Sequence, residues 1–253
     1  MLALLHTSSV HVPVFDALRD RDHPGLPLRH VVSEELLAGA RAGGPESVAG
    51  DIDRVLASAV AEGAAAVLCT CSTIGGVAEA RAEALGVPVL RVDRPMAAAA
   101  VAAAPGGGRT TTRVVVIAAL AGTVGPTVAL VEEEAARSGR PVTVTATVVE
   151  GAWDRFESGD HAGYLSAIAA AVDAVDGADV IVLAQASMAA AAQRTTTATP
   201  VLSSPAPGLR AAAAAVSRRQ SGQPVVRSAV AGSAVATSTT ASAGGGVKAS
   251  AFP

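Results

Sequence analysis

The feature that most constrains this 253-residue chain is that its pattern of elements occurs twice. A shift of 112 residues lays LLHTSSVHVPVFDAL (4–18) on VIAALAGTVGPTVAL (116–130), and Pro88-Val89-Leu90 on Pro200-Val201-Leu202. Each half alternates short apolar runs of strand length with stretches at helical spacing. A repeated strand–turn–helix order predicts an α/β protein of two similar lobes, each a mainly parallel sheet flanked by helices. Ligands of such folds bind at the C-terminal ends of the strands, so the site is expected in the cleft between the lobes. The expected boundaries are 1–104 and 105–216, joined through PGGGRTTT (105–112). From about Ser217 the chain is rich in Ser, Ala, Thr and Gly without a period, so 217–253 is expected to be a disordered tail.

In the first half the strands read as 2–6, 28–32, 64–69 and 87–91, with helices at 46–61, 77–85 and 95–104 and a loop at HTSSVHVP. In the second they read as 113–119, 142–149, 179–184 and 200–202. A loop at 120–126 precedes a helix to about Ser138, and helices follow at 161–175, capped by Asp160, and 207–216. Aromatic residues are only 2%, so the core must come from Val, Leu, Ile and Ala. That composition suits buried parallel strands under Ala-rich helices.

Composition also excludes some functions. The formal net charge is −3 and no basic block occurs, so nucleic acid is not an expected partner. No apolar run is long enough for a membrane span. MLALLHTSS lacks a basic leader region and reads as a first strand rather than a signal peptide. Cys69 and Cys71, two residues apart, make no sensible structural disulfide, so a reduced, cytoplasmic setting is expected. His, Cys and carboxylate spacings suggest no metal cluster. PGGGR lacks the Lys-Ser/Thr of a phosphate loop.

Cys71 is the main candidate for chemistry. It lies in a polar turn, TCSTIGG, between a buried strand and a helix. Helix N-terminal amides favour a thiolate and also bind carboxylates. An inert free cysteine beside a loop is the ordinary alternative, and Cys69, at the end of an apolar strand, fits it better. Ser8 and Ser9 follow the first strand, with Thr123 at the matching place in the second half, and could hold a carboxylate or only cap helices. Ser187 lies in the turn QASMA, while Ser203 and Ser204 follow the last strand. Asp93 and Arg94 read as a solvated pair at a strand end, and His6 as structural. His11 is placed to reach the cleft.

The segment Leu68-Cys69-Thr70-Cys71-Ser72-Thr73 resembles the first catalytic-cysteine motif of aspartate/glutamate racemases, in which Cys is followed by Asn or Ser and then Thr. Val182-Leu183-Ala184-Gln185-Ala186-Ser187-Met188 resembles the second-cysteine motif of hydantoin and related racemases. Val116-Ile117-Ala118 with Thr123 resembles the threonine-bearing loop of the second half. The likeness spans about residues 1–216.

The resemblance implies a cofactor-independent enzyme that moves a proton at a carbon next to a carboxylate, with two cysteines on opposite faces of that carbon. It implies Cys71 as the acid/base, with Ser8, Ser9, Ser72, Thr73, Thr123, Gln185 and Ser187 around a small carboxylate or amino-acid-like substrate. A homo-oligomer is compatible with it. The sequence departs from the pattern where Gln185 stands in place of the second cysteine, because an amide is no general base near neutral pH. A single-cysteine decarboxylase or isomerase of the superfamily therefore stands beside a racemase, and a non-catalytic carboxylate-binding protein is the alternative of another class.

Overall fold

The structure is a computed structural model that describes residues 1–221. The first sheet contains β1 (Leu2–His6), β2 (Leu28–Val32), β3 (Ala66–Cys69) and β4 (Val89–Arg91), in the order β2-β1-β3-β4. The second contains β5 (Thr112–Ala118), β6 (Val142–Val148), β7 (Val180–Leu183) and β8 (Val201–Leu202), in the order β6-β5-β7-β8. All pairings are parallel. Strands β1, β3 and β7 are buried along their whole length, which is why they read as unbroken apolar runs. Edge strands β2 and β6 expose part of their length to solvent.

The duplication is visible in the main chain. Val67 N–H donates to Pro88 O and Ile181 N–H to Pro200 O, both at 2.9 Å. Thr70 N–H donates to Leu5 O and Ala184 N–H to Ile117 O, again both at 2.9 Å. Leu5 and Ile117 obey the 112-residue shift. Thr70 and Ala184 need two residues more, so Cys71 and Gln185 are equivalent positions.

The helices are α1 (His11–Asp22), α2 (Glu34–Gly43), α3 (Ala49–Ala61), α4 (Ser72–Glu79), α5 (Ala82–Leu85) and α6 (Arg94–Ala102) in the first half. In the second they are α7 (Ala121–Ser138), α8 (Ala152–Glu157), α9 (His161–Asp173) and α10 (Pro205–Gln220), with short 3-10 helices at Pro45–Val48 and Ala186–Gln193. One face of the first sheet buries Ala3, Leu5, Val67 and Cys69 under Leu36, Ile52, Leu56 and Ile74 of α2, α3 and α4. Tyr164, Ile168 and Val172 of α9 cover the corresponding face of the second.

The other two faces exchange helices. Helix α6 sends Met96, Ala97, Ala100 and Val101 into the cluster of Val114, Val116, Leu130 and Val182. Helix α10 returns Leu209, Ala212, Ala215 and Val216 to Leu2, Leu4, Phe15 and Leu68. Gly208 allows that return: a Cβ there would lie 2.6 Å from Val92 Cγ2, and closer still to the Val92 carbonyl.

Several expected elements differ. The segment read as the loop HTSSVHVP opens into α1 at His11; Pro13 is tolerated because a first-turn N–H has no intrahelical partner anyway. The loop expected at 120–126 is mostly the start of α7, with Pro126 inside the helix. The helix expected at 77–85 is two, α4 from Ser72 and α5. Asp160 does cap α9, accepting from Gly163 N–H at 2.9 Å. Residues 217–220 of the expected tail are helical in α10, where Arg219 donates to Gly86 O at 2.7 Å. Residues 222–253 lie outside the described residues.

Candidate active site

Strands of a parallel sheet run one way, so the segments that follow them gather at one edge. Those after β1, β3, β5 and β7 carry the candidate residues. Cys71 is the N-cap of α4 and Gln185 the N-cap of the 3-10 helix Ala186–Gln193, each in extended conformation.

The residues flanking this pair join the two halves. Ser72 Oγ donates to Ala184 O at 2.8 Å, and Thr73 Oγ1 lies 3.3 Å from Thr123 Oγ1. Gln185 is held at both ends of its amide: Oε1 accepts from Ala119 N–H at 3.0 Å and Nε2 donates to Thr123 Oγ1 at 3.3 Å. That orientation turns the amide toward its own half. Ser187 pairs with Tyr164 OH at 2.8 Å, whose ionisation burial pushes up to about 12, so both hydroxyls stay neutral. Ser8 is half-buried and Ser9 exposed; their carbonyls accept from His11 N–H and Val12 N–H in the first turn of α1. Ser72, Thr73, Thr123, Gln185 and the Cys71 turn thus share one network, which Ser8, Ser9 and Ser187 do not join.

The two thiols differ. Cys69 is fully buried, and burial first, then the Cys71 thiol, push its ionisation far above the ordinary range. Its Sγ lies 3.6 Å from Cys71 O. Cys71 is half-buried at the edge of the first core. Neither is in a disulfide.

Asp93 and Arg94 are not the solvated pair expected. Asp93 is fully buried and takes Arg91 in a two-point ion pair, Nε–Oδ1 2.6 Å and Nη2–Oδ2 2.9 Å. Arg94 bonds instead to Glu79 at 2.8 Å, Glu133 at 2.9 Å and Glu134 at 2.7 Å, tying α4 to α7. Spacing alone suggested a strand-end pair; the turn from β4 into α6 instead buries Asp93, where the fork-shaped Arg91 guanidinium compensates its charge at two points. Sequence reasoning also missed a buried polar chain under the first loop. His6 lies 2.8 Å from both Thr70 Oγ1 and His30 Nδ1, and His30 Nε2 lies 3.3 Å from Asp16. Burial, then His30 and His11, hold His6 down to about 3. With the His6 ring neutral, one of its two nitrogens donates in this chain and the other accepts. No sequence pattern links residues 64 positions apart, such as His6 and Thr70.

Helix α4 packs against α7 across the halves, while α1 has no comparable contact with the 3-10 helix Ala186–Gln193. The halves also meet where Arg41 of α2 donates to Glu157 of α8 at 3.0 Å. Among the described residues no group of three His, Cys, Asp or Glu side chains is placed to hold a metal, and no helix is long and apolar enough to cross a membrane.

Two parallel-sheet lobes, with half-buried Cys71 capping a helix in one and Gln185 at the equivalent position of the other, define a class of two-lobed α/β proteins with a thiol at the junction of the halves. Residues 7–232 match the model of the Asp/Glu/Hydantoin racemase family, and the chain belongs to that family. Glutamate racemase isoform RacE1 from Bacillus anthracis shares the fold with a TM-score of 0.63 at 16% identity, over 88% of this chain and 82% of that one. An aspartate racemase homologue from Pyrococcus horikoshii gives 0.57 at 12%, over 85% and 98%. Allantoin racemase from Pseudomonas fluorescens gives 0.53 at 21%, over 88% and 92%. No curated protein matches in sequence.

Proposed function

We propose that the protein is a cofactor-independent, cytoplasmic enzyme in which Cys71 transfers a proton at a carbon α to a carboxylate, acting from one face only. The observation that carries this reading is the pair of equivalent N-cap positions: a half-buried thiol at one, and at the other an amide whose two ends are engaged by Ala119 N–H and Thr123 Oγ1. Inversion needs an acid on one face and a base on the other. Neither Gln185 nor Ser187 titrates near neutral pH. Decarboxylation or isomerisation, each needing one proton delivery, fits this arrangement better than racemisation. The carboxylate would rest on the N-termini of α4 and α7, beside Ser72, Thr73 and Thr123, with Ser8, Ser9 and Ser187 outside that network.

The test is incubation with small amino, dicarboxylic and malonic acids in deuterated water, following α-proton loss and configuration together. Deuterium should enter with retained handedness, or replace a departing carboxyl group on one face. Cys71→Ala should lower the rate at least about 100-fold. Cys69→Ala should leave the chemistry and loosen the core. Rapid racemisation of aspartate or glutamate would refute the one-sided scheme.

A further inference from the structure

We propose that Arg91, neutralised by Asp93, is a positioning residue that fixes the Cys71 turn against α7 and so sets the spacing of the two helix N-termini that would seat a substrate carboxylate. This deepens the single-thiol reading and rests on it for the seat, while the clamp has a test of its own.

A buried ion pair is a weak source of stability, because desolvating two charges offsets most of their attraction, and apolar residues of similar volume often serve a core as well. Here Asp93 is fully buried and Arg91 is 6% exposed. Burial opposes the charge on Arg91, but the bonds to Asp93 outweigh it and raise its ionisation, so the guanidinium stays charged. Asp93 gives both carboxylate oxygens to Arg91 and makes no side-chain cap on α6, where it is the N-cap. The pair therefore calls for a role other than capping or core filling.

Arg91 grips the Cys71 turn from both sides. Before the turn, the register of β3 and β4 sets Arg91 beside Cys69, and Val92 N–H donates to Cys69 O at 2.9 Å. After it, the Arg91 side chain lies against α4. A Cβ at Gly75 would lie 3.0 Å from Arg91 Cβ, and one at Gly76 3.3 Å from Arg91 Nη1. Two adjacent glycines weaken an eight-residue helix, and they stand where α4 must lie on this side chain. Arg91 Nη2 also donates to Pro126 O of α7 at 3.4 Å. One guanidinium thus joins β4, α4 and α7.

The contact is close to the site. One turn before Pro126, Thr123 of α7 meets Thr73 of α4 at 3.3 Å, so the gap that Arg91 sets is the gap between the two N-termini. Ser72 fixes the start of α4 through Ala184 O, and Glu79 its end through Arg94. Arg91 fixes the middle, where Gly75 and Gly76 have no side chains to do so. Asp93 matters for charge. An unpaired guanidinium beneath the turn would compete with the helix N-termini for an anion, whereas the two-point pair leaves those N-termini as the local positive ends.

The experiment compares alkylation of Cys71 at pH 7 by iodoacetate, which carries a carboxylate, and by neutral iodoacetamide, with the modified residue located by mass spectrometry. The ratio of the two rates is normalised to that of N-acetylcysteine. A seat beside Cys71 should give the wild-type protein a preference for iodoacetate of about tenfold. Arg91→Met/Asp93→Ala removes one charge of each sign, so net charge is kept, and the preference should fall to about twofold or less. Arg91→Lys keeps the charge but not the fork and should retain about threefold; it carries the test if the double variant does not fold. Ile168→Val trims the core under α9 and should lower the melting temperature while keeping the full preference. A preference unchanged in the Arg91 variants, or lost equally in Ile168→Val, would overturn the proposal. If the wild-type protein shows no preference, the carboxylate seat fails and hydrogen exchange decides the clamp. Amides of α4 and of the first turn of α7 should then exchange at least about tenfold faster in the Arg91 variants, with α9 unchanged. Equal exchange would overturn it.

Discussion

Cys69 and Cys71 are two residues apart yet chemically unlike, because β3 ends between them. The first is the last residue of a fully buried strand; the second caps a helix at the cleft. The same junction makes the protein acid-sensitive. His6 is held near 3 and His11 near 4, against an ordinary 6.5 in an unfolded chain. Between those values and 6.5 the unfolded state binds more protons than the native state, so stability rises with pH through this window and is lost as pH falls. Each site contributes up to about 1.4 kcal/mol per pH unit over its own window. Melting temperature should therefore fall between pH 6.5 and 4, and His11→Gln should flatten part of that slope. A profile equally steep in the variant would show that carboxylates, not this ring, set the acid limit. At this scale the turn that makes Cys71 the N-cap of α4 was legible, because a polar, glycine-bearing turn after an apolar run is a local signal. The Arg91–Asp93 pair was not, because whether a strand-end carboxylate points inward depends on α7, which supplies Pro126 O 3.4 Å from Arg91.

Helices show the limits of pattern reading more clearly than strands. Strands β1, β3, β5 and β7 were legible because burial on both faces leaves continuous Val, Leu and Ile. Helix α1 was not, because its sequence, HVPVFDALRDRD, has a proline in the first turn and buries only Phe15. Helix α10 looked like the end of the second half but belongs, by packing, to the first sheet. Its close approach rests on Gly208. Gly208→Ala would press a methyl group against the Val92 backbone and side chain, which a helix anchored by Leu209, Ala212 and Val216 cannot easily avoid. Overpacking of this kind costs about 1–3 kcal/mol. The variant should unfold at a lower denaturant concentration, whereas Gly50→Ala on α3, where a Cβ meets nothing within 4 Å, should not. Equal midpoints would mean that α10 shifts without cost.

The exchange of α6 and α10 changes what the two lobes are as folding units. Each sheet is closed on one face by a helix from the other half, so neither half can bury its core alone. The cleft side adds the Ser72–Ala184 bond and the bridging of Arg94 to Glu79 on α4 and Glu133 on α7. The shift-by-112 repeat suggests two beads on a string, but the duplication has been folded into one interlocked body. Unfolding should then be a single cooperative transition. The chain carries its own probes: Trp153, its one tryptophan, lies on α8 in the second half, and Cys69 is sealed in the first. Trp153 fluorescence and Cys69 alkylation, measured along one urea titration with Cys71 blocked, should report the same midpoint. Two separated midpoints would show that the lobes unfold independently, and that the exchanged helices detach before either sheet is lost.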